Sequence, residues 1–294
     1  MATRVVTDSA CDLPPVTLLD AGVLAVPLRV RFGDAEMLDG RELRPTDLYR
    51  RLAEGAAPPR THPPDPDDFA AVYAALLDDA DEVVSLHLSG ELSETLTHAR
   101  EGAKRADAGD RVRFVDSRAA GAAMAEQVLT AARAAAAGRS ATETAAAAER
   151  LRDATVTFLA PASLQALRAR GRIGPLGRWW AGLRGRLPMF ELEGGVLAPA
   201  GSAPRGQRAE RLAQRLERAL DRGPCRVAVG VAGDDLAAAD ELLARLDVAS
   251  VHVSEGRVQR VGVTLARYLG AGTLTISAYP EEALVAPSPV STSA

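Results

Sequence analysis

A short polar segment, Ser89-Gly90-Glu91-Leu92-Ser93, lies between a β-forming run and an amphipathic helical pattern. Residues 83–88 are rich in valine and leucine, and the apolar positions that follow the segment recur at helical spacing. A helix start offers free N–H groups and a positive dipole end to an anion. Two serines at this turn therefore predict a site for a carboxylate or phosphate. The alternative is that Ser89 only caps the helix and Ser93 lies in its first turn.

Small polar residues also follow two other predicted strands. Residues 4–7 lead into Asp8-Ser9, and residues 112–115 lead into Asp116-Ser117. The carboxyl ends of parallel strands meet at one edge of a sheet, where open α/β proteins bind their ligands. Each cluster alone is typical of a turn, but together with the serine segment they favour a binding site at that edge.

The elements that position these residues alternate between strand and helix patterns, which predicts an α/β fold with a parallel sheet in its first half. At 294 residues and 47% hydrophobic, the chain is long enough for two domains with separate cores. We place an N-terminal α/β domain at residues 1–153 and a second α/β domain at residues 154–285. A disordered Ser/Pro/Ala tail is predicted for residues 286–294.

Three local predictions bear on the site. The proline-rich segment 58–66 is interpreted as a stiffened loop without secondary structure. Asp65 and Pro66 mark the start of a helix, with Asp68 completing a capping box. Residues 258–268 are assigned to a helix.

Composition excludes several classes of function. The net charge of −4 argues against general nucleic-acid binding. Two distant cysteines, the absence of a signal peptide pattern and the absence of an apolar run of about 18 residues favour a cytoplasmic protein without membrane insertion. Residues 164–186 are basic and contain Trp179-Trp180, which allows a nucleic-acid or membrane face, although an acidic chain favours a solvated or protein-docking surface.

Arginine is weak evidence of function in this chain. Of 35 basic residues only Lys104 is a lysine, and the sequence is rich in alanine, as expected from coding bias in a GC-rich genome. An individual arginine therefore does not by itself mark a site.

Motifs for nucleotide binding, metal binding and nucleophilic catalysis are absent from the sequence. His87 lies within a strand pattern and is interpreted as a core histidine, whereas His62 lies in the proline-rich segment, where a ligand can reach it. The sequence thus predicts binding over catalysis, with no metal and no cofactor.

With these residues in view, the chain resembles the DegV family of bacterial fatty-acid-binding proteins over nearly its whole length, to about residue 276. The motifs that carry the resemblance are, in order, Val6-Thr7-Asp8-Ser9 with Asp12-Leu13-Pro14, Val26-Pro27-Leu28, Leu88-Ser89-Gly90-Glu91-Leu92-Ser93-Glu94-Thr95, Val115-Asp116-Ser117, Gly171-Arg172-Ile173, Leu187-Pro188 with Gly194-Gly195, and Arg205.

The resemblance implies a two-domain architecture, with a parallel Rossmann-like sheet in the N-terminal domain and an apolar ligand tunnel between the domains. It implies that a long-chain fatty acid lies in the tunnel and that hydroxyl residues hold its carboxylate. A separate fatty acid kinase would phosphorylate that carboxylate, so the protein would be a carrier and not an enzyme. Arg172 and Arg205 form the implied basic docking face for the kinase.

The resemblance assigns the head group to Thr61, His62, Ser89, Gly90, Ser93 and Tyr268. Thr61 and Ser93 match the family pattern. His62 replaces a serine, Gly90 replaces a second elbow serine, and Tyr268 stands where the family has a histidine. Glu94 replaces a glycine and brings a like charge near a bound anion unless it faces solvent.

Two other functions remain open from the sequence. One is an enzyme, a hydrolase or phosphotransferase subunit, that uses His62 with a hydroxyl group or Asp116. The other is a regulatory module that binds a different small anion or amphiphile. The enzyme hypothesis requires His62 within hydrogen-bond reach of its partner in a cleft.

Overall fold

The computed structural model describes residues 2–163, 185–220, 223–233, 236–248 and 251–284. Its strands are β1 (Thr3–Asp8), β2 (Val23–Val26), β3 (Arg29–Phe32), β4 (Ala35–Leu38), β5 (Arg60–His62), β6 (Glu82–His87), β7 (Val112–Asp116), β8 (Val156–Ala160), β9 (Arg186–Glu193), β10 (Val196–Pro204), β11 (Cys225–Val231), β12 (Val253–Arg260) and β13 (Leu274–Pro280).

The α-helices of the described residues fall between these strands. They are α1 (Pro15–Asp20), α2 (Pro45–Ala53), α3 (Pro66–Leu77), α4 (Thr95–Arg105), α5 (Ala122–Ala136), α6 (Ala141–Ala154), α7 (Arg208–Ala219), α8 (Ala237–Val248) and α9 (Val263–Leu269).

The first sheet is parallel, in the order β2-β1-β6-β7. Strands β1, β6 and β7 are neighbours, so Asp8, the serine segment and Asp116 all lie at its carboxyl edge, as the sequence predicts. The edge strand β2 ends immediately before Pro27, because a proline has no N–H to donate to the hydrogen-bond ladder of the sheet. This α/β half has the Rossmann-like arrangement that was expected.

The second large sheet has the order β10-β9-β8-β13-β11-β12, and its pairs are antiparallel except for β11 with β12. Together with the parallel first sheet it confirms an α/β fold with two separate sheets. The sheets draw on residues 3–116 and 156–280, which fits a boundary near residue 153, although the domain division itself stays a prediction.

A third, three-stranded antiparallel sheet has the order β4-β3-β5 and corrects one prediction. Strand β5 (Arg60–His62) lies inside the proline-rich segment that we interpreted as a loop without secondary structure. Prolines favour extended backbone around them, and the three residues between Pro59 and Pro63 keep their N–H groups. They can therefore pair with β3, which places Thr61 opposite Val30.

A second correction concerns residues 258–268. Residues 258–260 extend strand β12, because they continue the parallel pairing with β11, and helix α9 begins only at Val263 after Gly262. The predicted start of α3 is confirmed: Pro66 is its first residue, and the Asp68 carboxylate accepts the N–H of Asp65 at 2.9 Å.

An apolar cluster joins the two halves of the chain and is called the junction cluster below. Tyr268 packs against it as a partly buried member. Its buried residues are Val30, Leu43, Leu48, Tyr49, Ala120, Leu159, Phe190, Ala232, Val261, Val263, Leu265, Ala266 and Leu269.

Within the described part of the chain, no helix is long and apolar enough to cross a membrane. The predicted tail at 286–294 and the tryptophan pair of the basic stretch lie outside the described residues, as does all of that stretch up to residue 184.

Candidate functional site

Ser89 is fully buried and holds the hairpin between β9 and β10. Its hydroxyl donates to the carbonyl oxygen of Gly195 at 2.7 Å and accepts the N–H of Glu91 at 3.2 Å. Gly195 has φ +92°, and a Cβ atom there would lie 2.5 Å from the Ser89 Oγ, so only glycine allows the approach. Ser89 therefore joins the two halves and does not cap α4, which begins at Thr95.

We expect Ser89→Ala to lower the free energy of unfolding by about 1–3 kcal/mol, because the buried Gly195 carbonyl loses its donor. Urea unfolding measures the change. Thr97→Ala, an exposed change on α4, is the control and is expected to stay within about 0.5 kcal/mol. Equal stability of the two variants would contradict this role of Ser89.

Gly90 allows the serine segment to approach the end of β7. Its N–H faces both carboxylate oxygens of Asp116, at 3.3 and 3.4 Å. A Cβ atom at position 90 would lie 3.1 Å from the Asp116 Oδ2. Both residues thus shape the turn, and Asp116 is occupied by backbone donors.

Ser93 is half-buried immediately before α4. Its hydroxyl lies 2.9 Å from that of Thr95 and accepts the N–H of Thr95 at 3.3 Å. The next residue, Glu94, is exposed at the N-cap of α4. The like charge that Glu94 introduces therefore faces solvent.

Thr61, on the short strand β5, meets helix α9 through Arg267. The Arg267 Nη1 donates to the Thr61 carbonyl at 3.0 Å and also to the Thr61 hydroxyl. The guanidinium lies 4.5 Å from the centre of the Tyr268 ring, and its Nη2 donates to the Tyr268 hydroxyl at 3.2 Å.

Tyr268 connects this pair to the serine segment. Its hydroxyl donates to the carbonyl oxygen of Leu92 at 3.3 Å, next to Ser93 in sequence. Three distant segments, carrying Thr61, Leu92-Ser93 and Arg267-Tyr268, are thus brought together beside the junction cluster. We call this group the polar corner.

His62 does not join the polar corner. It follows Thr61 on β5, so its side chain leaves the opposite face of the strand, and it is exposed. Its backbone pairs with Arg29 of β3, and its side chain makes no hydrogen bond or ion pair among the described residues. The contact with a hydroxyl group or Asp116 that the enzyme hypothesis requires is therefore not present there.

A buried histidine network lies in the first sheet instead. The His87 Nδ1 is 2.9 Å from the Asp8 Oδ2, and its Nε2 is 2.6 Å from the Ser85 hydroxyl, which lies 2.7 Å from the hydroxyl of Tyr73. All four residues are 0% exposed. Burial raises the pKa of the Tyr73 hydroxyl. The Asp-His-Ser combination thus has no access to a substrate, and His87 is confirmed as a satisfied core histidine.

Two further carboxyl groups lie near the carboxyl end of β1. Asp39 accepts the hydroxyl of Ser9 at 2.7 Å, and burial raises the pKa of Asp39 to about 7. Asp12 accepts the N–H of Gly262 at 2.8 Å, and burial raises its pKa as well. These groups connect β1 to β4 and to the segment before α9.

Of the two predicted docking arginines, Arg205 is described. It is exposed at the end of β10. Nearby, Arg208 donates to the carbonyls of Ala160 and Gly272, at 3.1 and 2.7 Å, and has a lowered pKa because of burial and the charge of Arg205. Arg172 lies outside the described residues.

A cavity of about 280 Å³ lies between β7, α6 and the hairpin of β9 and β10. Its wall mixes apolar residues such as Val156 and Leu192 with the charged side chains of Arg118, Arg152 and Glu191. The cavity does not include the polar corner.

Of the residues that sequence reasoning singled out, Thr61 and Tyr268 meet through Arg267, and Ser93 follows Leu92, whose carbonyl oxygen accepts from Tyr268. Sequence reasoning missed Arg267, although a cation next to Tyr268 was visible in the sequence, because arginines are too frequent here to stand out.

Comparisons with known proteins bear on the family and the fold of the chain. The family model described as "Uncharacterised protein, DegV family" matches residues 2–281. A DegV domain-containing protein of Deinococcus radiodurans is 33% identical over 95% of this chain and 99% of its own length. One from Streptomyces coelicolor is 34% identical over 92% of this chain and 96% of its own length.

A solved structure described as fatty acid binding of a DegV family protein from Thermus thermophilus is similar over 95% of this chain and 100% of its own. The TM-score is 0.86 at 33% identity. The structure of DegV from Bacillus subtilis covers 96% of this chain and 100% of its own, with a TM-score of 0.83 at 24% identity, and it supports the fold alone.

Proposed function

This chain belongs to the DegV family, and on that premise we propose that it binds a long-chain fatty acid or similar amphiphile in an apolar tunnel between its two halves. The relative from Thermus thermophilus, which is described as binding a fatty acid, supports this ligand class. The proposal is a binding protein and not an enzyme.

One observation carries the proposal: the polar corner lies at the margin of the junction cluster. An amphiphile needs hydrogen-bond donors and an apolar surface that adjoin each other. The donors come from Thr61, Arg267 and Ser93, and the apolar surface comes from residues of both halves. Tyr268 belongs to both environments, with its ring against the cluster and its hydroxyl in the corner.

The proposed head-group contacts are the hydroxyls of Thr61 and Ser93, with Tyr268 beside them. We leave Ser89 and Gly90 out, because their polar groups are used within the fold. His62 can meet a ligand only from the exposed face of β5.

The second part of the proposal is that the protein presents the bound carboxylate to a fatty acid kinase. Its support is the family membership together with the exposed Arg205, which offers a positive group to an acidic partner surface. A pull-down of the fatty-acid-loaded protein that captures no ATP-dependent fatty acid kinase would contradict this part alone.

The freshly purified chain is expected to carry one fatty acid per molecule in native mass spectrometry, released and identified after denaturing extraction. Palmitate added to the emptied protein at about 100 times its Kd should stabilise it by about 2.7 kcal/mol. The melting temperature should then rise by roughly 5 °C or more.

Hexadecane-1,2-diol, which has a similar chain and no charge, is a matched control ligand for the melting experiment. A protein that carries no acyl chain and whose melting temperature ignores fatty acids would contradict the proposal. A response to a different small anion would instead favour the regulatory module considered from the sequence.

A further inference from the structure

Arg267 occupies the centre of the polar corner. Its guanidinium touches Thr61 on one side and Tyr268 on the other. A guanidinium group carries a permanent positive charge. The Arg267 Nη1 and Nη2 already donate to Thr61 and Tyr268, so this charge is what the side chain offers to a carboxylate. The guanidinium lies on Tyr268 and is held from β5, so its orientation is set before any ligand arrives.

The hydroxyl of Tyr268 is already engaged within the protein, so the hydrogen-bond donor to a bound anion must be a neighbouring residue. The Tyr268 hydroxyl has one hydrogen, and this hydrogen is directed to the carbonyl oxygen of Leu92. Its oxygen accepts from Arg267. A hydroxyl with both roles occupied positions its neighbours and does not donate to an incoming anion.

The Thr61 hydroxyl is in the opposite situation. It accepts from the Arg267 Nη1, so its own hydrogen remains available to point toward a ligand. The adjacent positive charge makes that hydroxyl a stronger donor to an anion. Arg267 and Thr61 can therefore bind one carboxylate together, the first through charge and the second through its hydrogen.

We propose that Arg267 is the residue that selects an anionic head group in this chain, by pairing its guanidinium with the carboxylate of the acyl ligand beside Thr61. This inference rests on the proposed function. It makes the protein selective for acids over neutral lipids of equal chain length, and it makes Tyr268 a positioning residue for the guanidinium.

The test measures binding of palmitate and of 1-hexadecanol to the emptied full-length chain by titration calorimetry. The native protein is expected to bind palmitate at least about 10-fold more tightly than the alcohol. Arg267→Gln should weaken palmitate binding about 10- to 100-fold, as expected for loss of a charge-assisted hydrogen bond, and change alcohol binding less than about 3-fold. Arg267→Lys should restore part of the preference, since it keeps the charge without the planar guanidinium group.

Arg218→Gln, an exposed change on α7, is the matched control and should bind both ligands as the native protein does. Unchanged palmitate binding by Arg267→Gln would overturn the inference, and so would an equal loss of both ligands, which would mark Arg267 as structural. A native protein that binds the two ligands equally well would overturn the inference and leave the proposed function standing. Binding of neither ligand would contradict the proposed function itself.

Discussion

Asp8→Ala is expected to destabilise the protein by at least about 3 kcal/mol, because three buried donors lose their acceptor at about 1–3 kcal/mol each. The Asp8 carboxylate accepts from Leu88 N–H at 3.0 Å, from Ala10 N–H at 2.9 Å and from His87. Alanine removes these acceptors and leaves three donors without partners in a core that water does not reach.

Because the hydrogen bonds of the buried histidine network follow one another in order, substitutions at its two ends should destabilise the protein to different degrees. Two backbone N–H groups donate to Asp8, which marks it as an acceptor, so the His87 Nδ1 donates to it and the Nε2 accepts from Ser85. Tyr73 then donates to Ser85 at the far end. Tyr73→Phe removes only that last bond and should cost about 1 kcal/mol.

Urea unfolding followed by circular dichroism would measure both variants, with the exposed Asp110→Ala as the control. If Asp8→Ala is too unstable to purify, the Tyr73→Phe variant still tests the network. A loss below about 1 kcal/mol for Asp8→Ala would show that the carboxylate does not hold this core together.

A second large effect is expected from Asp39, whose pKa is about 7 because of burial. The folded protein holds this proton more tightly than the unfolded chain, in which aspartate titrates near pH 4. The free energy of unfolding should therefore fall as pH rises from about 4 to about 7 and level off above that range. The contribution of Asp39 is of the order of 2–4 kcal/mol, and Asp12, whose pKa is also raised, acts with the same sign.

Asp39→Asn should remove the part of this pH dependence that Asp39 contributes and leave the part that comes from Asp12. Asparagine keeps a carbonyl oxygen that can accept from Ser9 and never ionises. Relative to the native protein, the variant should gain stability between pH 5 and pH 8, as measured by urea unfolding in matched buffers. The exposed Asp78→Asn change should show no such gain, and parallel pH profiles for native protein and Asp39→Asn would contradict the assignment.

The polar residues at the carboxyl edge of the first sheet could be predicted because the sequence patterns that mark the strand ends are local. Each strand is a short apolar run that ends in small polar residues, and parallel order brings those ends together. The roles of the individual residues were less accessible. The hydroxyl of Ser89 donates to the carbonyl oxygen of Gly195, a residue more than a hundred positions away, and no sequence spacing predicts that contact.

Strand β5 shows a different limit. Prolines around Arg60–His62 suggest irregular backbone, but the same prolines favour the extended conformation that β3 can pair with. The interpretation of this segment as a loop without secondary structure was therefore wrong, because it overlooked the pairing with β3. The pairing decides that Thr61 and His62 leave opposite faces of the strand, which separates two neighbours that the sequence placed in one site.

The contacts of the serine segment also bear on how such a protein changes its ligand over evolution. Residues 89–92 are tied through Ser89 to a distant hairpin and through Gly90 to β7, so substitutions there disturb folding. Positions 267 and 268 lie on another helix, and Tyr268 meets the segment at the carbonyl oxygen of Leu92. A lineage can therefore change its head-group preference by substitutions on α9, while the serine segment stays constrained by its role in folding. The fold and the ligand specificity can then be inherited separately.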